Sequence, residues 1–112
     1  MPTVYKILGQ DAPTGNVETD LYAVPAATSA VVSSLTVANR GPDLATFRIS
    51  ISPGAAATIN ADYLYYDVVL GGYDTFIATV GITLAATDVV RVRASGLGGD
   101  DLTFQAFGSE LT

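Results

Sequence analysis

The sequence has no cysteine, no histidine and no tryptophan, and only 14% of its residues are charged. Without cysteine there is no disulfide and no thiolate site. Without histidine or cysteine, Ser-His and Cys-His nucleophile pairs are excluded as well. The charged fraction lies well below the usual quarter. With 49% apolar residues beside it, the chain does not have the composition of a disordered segment. Two explanations fit so few charges: an Ala- and Thr-rich β-sandwich, or a surface partly covered by neighbouring chains. We favour the second. No apolar run is long enough to span a membrane. The N-terminal MPTVYKILG lacks the basic region and long apolar core of a secretory signal. We therefore expect a soluble chain with no membrane partner. Eleven acids against five basic residues give a net charge of −6. Such a balance repels phosphate backbones, so nucleic acid is not an expected partner.

What is present is β-structure. The 112 residues suit one domain, 1–112. Its clearest stretch runs from Ala30 to Ser52. There Phe47, Ile49 and Ile51 alternate with Arg48, Ser50 and Ser52, the period-two pattern of a half-buried strand. Val31, Leu35 and Val37 share one parity upstream, with Ser34 and Thr36 on the other, and Asn39–Asp43 reads as a polar turn between two paired strands. Further strands are predicted at Val4–Gln10, Thr19–Val24, Tyr63–Leu70, Tyr73–Val80, Asp88–Ser95 and Asp101–Gly108. Gly71-Gly72 suggests that the Tyr63 and Tyr73 strands form a hairpin. In the Asp101 strand, Leu102, Phe104 and Ala106 are expected inward. About eight short strands at near-regular spacing predict an all-β, two-sheet antiparallel β-sandwich, of jelly-roll or immunoglobulin-like topology. The sequence does not choose between them.

Candidate sites are few. We assign no catalytic residue. Asp100-Asp101 would point to opposite faces of extended chain, and the GGDD at Gly98–Asp101 lacks the helices and strands that surround that motif in nucleotide cyclases. Asp62, Asp74, Asp88, Asp100 and Asp101 fall at strand ends, without the spacing of a calcium loop; they read as turn residues, and we assign no metal and no cofactor. Tyr63 and Tyr65, expected together on the polar face of their strand, offer a carbohydrate or protein platform or ordinary cross-strand pairs. Arg91 and Arg93 point the same way from one strand, with Arg48 able to join them across the sheet. They could clamp carboxylates of an adjacent subunit or be plain surface arginines.

Several blocks carry a resemblance: Leu21-Tyr22 to Pro25, Val37-Ala38-Asn39-Arg40, Tyr63–Asp67, Leu84–Val92 and Phe107-Gly108-Ser109-Glu110. Together the sequence resembles small virion structural proteins of tailed bacteriophages, notably cyanophages. That resemblance implies a non-enzymatic β-sandwich made in the host cytoplasm and incorporated in the virion. It further implies a capsid cement or decoration protein, often trimeric, bound to the major capsid protein. Others of similar build sit in the neck, tail or baseplate, where Tyr63 and Tyr65 would meet host receptor glycans.

Overall fold

The computed structural model describes residues 2–112. Its strands run Thr3–Asp11 (β1), Thr19–Ala23 (β2), Ser29–Asn39 (β3), Ala45–Ser52 (β4), Tyr63–Leu70 (β5), Thr75–Leu84 (β6), Val89–Ser95 (β7) and Leu102–Leu111 (β8). They form two four-stranded antiparallel sheets, with strand orders β1-β8-β3-β6 and β2-β7-β4-β5. Each strand of the first half pairs with its mirror in the second: β1 with β8, β2 with β7, β3 with β6, β4 with β5. That nesting is one long ribbon folded back on itself at the β4–β5 connection. Rolling the ribbon up lets β3 also meet β8 and β4 also meet β7. The β-sandwich is therefore a jelly roll, which settles the topology that the sequence left open.

This wiring corrects both expected hairpins. β3 and β4 lie in different sheets, and so do β5 and β6. Asn39–Asp43 and Gly71-Gly72 are corners that carry the chain across the sandwich. Asn39 holds the first corner from inside: its amide nitrogen donates to the carbonyls of Asp43 and Gly71, and its oxygen accepts from the Gly41 amide. Gly72 sits so close under the Pro42 carbonyl that a Cβ would collide with it. Among the described residues the one hydrogen-bonded pair of consecutive strands is β4–β5, across the two short 3₁₀ turns Pro53–Ala55 and Asn60–Asp62.

The core lies between the sheets. Phe47, Ile49, Val90 and Val92 of the second sheet face Val32, Leu35, Val37, Leu102 and Phe104 of the first, all essentially without solvent contact. The Phe47 ring meets Phe104 edge-on at 6.2 Å and Phe76 at a tilt at 5.1 Å, the edge-on arrangement being a favourable one for aromatic pairs. Leu102, Phe104 and Ala106 are inward as expected. Val31 is not: a register shift between Val32 and Ser34 turns Ala30 and Val32 inward beside Leu35 and Val37.

The two long sides of the sandwich close differently. On the β1–β2 side, Gly9 lets the strands touch; a side chain there would strike the Leu21 carbonyl. The Tyr22 hydroxyl on β2 donates to Glu110 on β8, whose other oxygen accepts from Lys6 on β1 at 3.1 Å. These bonds hold the Glu110 carboxyl below its ordinary range, the Tyr22 bond first and Lys6 second. Burial, then the Glu110 bond and charge, pushes the Tyr22 phenol up. On the β5–β6 side there is no such tie among the described residues. The inward-facing Tyr65, Val68, Phe76, Val80 and Ile82 pack on the core but stay only partly buried.

Candidate functional site

The candidate residues all belong to the second sheet, and most are occupied within the chain. Arg48 and Arg93 are directly opposed on β4 and β7, with Arg91 one step along on the same outer face. Like charges placed so repel, and neighbouring carboxylates offset this. Asp67 accepts from the Arg48 Nε at 2.7 Å and from a terminal nitrogen at 3.2 Å. Those bonds, with a further pull from Arg93, hold the Asp67 carboxyl below its usual range. Arg48 also lies 4.0 Å over the Tyr66 ring, a cation–π contact. Arg91 pairs with Asp20 at 2.9 Å and donates to Ser52 and to the carbonyls of Ala55 and Ala56. It thereby binds the β4–β5 connection onto the sheet. Arg93 differs from both: its buried Nε has no hydrogen-bond partner among the described residues.

Tyr63 and Tyr65 do not share a face. Two register shifts disturb β5 against β4, and Asp67 takes a left-handed φ of 51° between them and Val68. Tyr65 consequently pairs with Ile49 and turns inward, its ring 5.2 Å from Phe76 and 6.5 Å from Phe47. Tyr63 turns outward to meet Tyr66 edge-on at 4.9 Å, with Arg48 beside both. A flat tyrosine platform is thus not formed. The two rings stand nearly perpendicular, and a guanidinium covers the face of one.

Sequence reasoning singled out nothing on the outer face of the first sheet, although that face is the more unusual. Register places Tyr5, Ile7 and Gln10 of β1 beside Ser109, Phe107 and Gln105 of β8. Val31, Ser34 and Thr36 follow on β3, then Thr83, Thr79 and Ile77 on β6. No Asp, Glu, Lys or Arg stands among these outward positions. Four strands about 4.8 Å apart and about 30 Å long present roughly 500–600 Å² of uncharged surface, mixed polar and apolar. Apolar groups punctuate it: Tyr5 is 85% exposed, Ile77 69% and Ile7 52%. The signal was available in the outward parity of each strand, which reads Thr, Ser, Gln and Ile without a charge.

Four of the strand-end aspartates accept from backbone amides, some within their own turn and two, Asp88 and Asp100, also or instead from distant loops. Asp88 accepts from the amides of Gly54 and Ala85, Asp62 from Ile59, Asp74 from Thr75 and Asp100 from Gly15. Among the described residues no three acids gather as a metal cluster, and no helix is long and apolar enough to cross a membrane.

No protein-family model matches the chain, and no curated protein is similar to it in sequence. The fold itself is shared. The chain superposes on part of a chain in the structure of infectious bursal disease virus, Gx strain, with a TM-score of 0.51 and 12% identity. The match covers 97% of this chain and 31% of the viral one. At that identity the likeness is one of fold, and this chain spans about a third of its neighbour's length.

Proposed function

We propose that this chain is a non-enzymatic virion structural protein of a tailed bacteriophage, a cement or decoration protein seated on the major capsid protein through the outer face of the β1-β8-β3-β6 sheet. The observation that carries this reading is that face: four strands wide, uncharged and apolar in part, on a chain whose net charge is −6. The resemblance of its sequence blocks to small phage virion proteins supports it, as does a jelly roll similar to part of a viral chain. In this role many copies sum modest contacts across a repeating lattice, and the shell gains strength from multivalency. Keeping charge off the docking face removes the desolvation penalty that buried ions carry. The acidic remainder faces water and repels nucleic acid.

The tail or baseplate alternative loses its proposed glycan platform, because Tyr65 packs against Phe47 and Phe76. Cryo-electron microscopy of virions carrying this chain tests the reading. Repeated jelly-roll density on the capsid lattice, uncharged sheet downward, is the expected result. Density confined to the tail, or a virion without the chain, would overturn it.

A further inference from the structure

Of the four edge strands, β6 is the least protected against pairing. β1 carries Lys6 and a register shift at Leu8. β2 has five residues, with Asp20 and a register shift between Asp20 and Tyr22. β5 is broken by two shifts and by the left-handed Asp67. β6 runs ten residues, TFIATVGITL, with no charge and no proline. Its register with β3 shifts once, between Val32 and Ser34, yet its own alternation of buried and exposed residues is unbroken from Thr75 to Leu84. A long edge of this kind is a template for another strand.

The sequence of β6 also says which strand. Read about Thr79, it is nearly its own mirror. In an antiparallel pair of two copies centred there, Thr75 faces Thr83, Phe76 faces Ile82, Ala78 faces Val80 and Thr79 faces itself. Ile77 faces Gly81, around which a side chain would find open space. Threonine pairs and aliphatic–aromatic pairs are favourable cross-strand neighbours, and each bulky Ile77 meets a position with no side chain. The inner residues Phe76, Val80 and Ile82, left partly exposed along the open side of the sandwich, would cover one another. No residue from Thr75 to Thr83 is charged, so two copies of net charge −6 meet through uncharged side chains, with Asp74 at the flank opposite Leu84.

We infer that β6 pairs with β6 of a second copy about a two-fold axis through Thr79, giving one continuous eight-stranded sheet. An interface of this kind is isologous and closes at two copies; three-fold symmetry at a capsid site would have to use another surface. The inference is read from β6 alone and stands whether or not the chain belongs to a virion.

Sedimentation of the purified chain tests it. The wild type should form dimers as concentration rises. Thr79→Lys and Thr79→Glu each set like charges opposite one another at the axis and should weaken dimerisation roughly tenfold or more. Thr79 is exposed, so at dilutions where the wild type is monomeric their melting curves should match it. Mixing the two variants should restore the dimer. Gly81→Lys, tolerated in the monomer because that side is open, should also dissociate it. A wild type that stays monomeric to millimolar concentration overturns the inference. So does a dimer or trimer indifferent to these substitutions, or a mixture that fails to recover.

Discussion

The two sheets share one core but present opposite outer surfaces. On β2-β7-β4-β5 stand Arg48, Arg91 and Arg93 with the acids Asp20 and Asp67, and two of the three guanidiniums are already bonded within the chain. On β1-β8-β3-β6 the outward positions carry no charge at all. A protein with so few charged residues has kept them off the outer face of one sheet while setting five on that of the other. That face is suited to water and to holding its own loops; the other is suited to being covered. Charge that looks available in a sequence can be fully engaged inside the molecule, and the surface that invites a partner can be the one where no single residue draws notice.

The comparison can be broken or sharpened by substitution. Phe104→Asp strikes the layer both sheets share and should have the largest effect, because an unpaired buried carboxylate costs several kcal/mol. Loss of the cooperative melting transition is expected; a normal melt would contradict the inward placement of Phe104. Thr36→Lys, at the middle of the uncharged face, should leave the melting temperature nearly unchanged while abolishing attachment to particles. Binding assays on empty heads would show whether the two readouts separate. Arg91→Ala should do the reverse. Losing its bonds to Ser52 and to the Ala55 and Ala56 carbonyls costs about 2 kcal/mol, roughly 10 °C of melting temperature, with attachment of the folded protein retained. Equal loss of both properties in either variant would erase the distinction between the faces.

The smallest effect lies at the closed side, where Tyr22 and Glu110 join the sheets. Glu110 is held below its ordinary value of 4.5, so its stabilising contribution is present above that pH and lost as the pH falls through its folded value. Tyr22 is raised above its ordinary 10.0, so its contribution is complete below pH 10 and declines as alkali approaches the folded value. Melting temperatures across the pH range should fall at both ends. Glu110→Gln should flatten the acid limb and Tyr22→Phe the alkaline one; limbs unchanged by these variants would remove the network from the account.

Much of this was readable in the chain, and the failures have physical reasons. Alternation located the strands because burial on one face imposes period two, as in Phe47, Ile49 and Ile51. It could not say which strand pairs with which. Asn39–Asp43 and Gly71-Gly72 look like hairpin turns, yet turn chemistry is equally suited to a corner between sheets. The pairing of β1 with β8 joins opposite ends of the sequence, out of reach of any local signal. Tyr63 and Tyr65 were assigned to one face because strict alternation was assumed across β5. The shift that separates them falls at Leu64, which carries no local warning; Asp67 marks only the other shift, since aspartate is depleted within strands and tolerates the left-handed conformation better than most residues. The role of Arg91 depended on where the Pro53–Asp62 connection folds, which its own residues do not announce.

One measurement addresses the whole account: hydroxyl-radical footprinting of the chain free and on the particle. Tyr5 on the uncharged face is 85% exposed and Tyr66 on the charged face 56%, so the same ring chemistry reports from both sides. Protection of Tyr5 on assembly, with Tyr66 as reactive as before, is the predicted result. Protection of Tyr66 while Tyr5 stays fully reactive would contradict it.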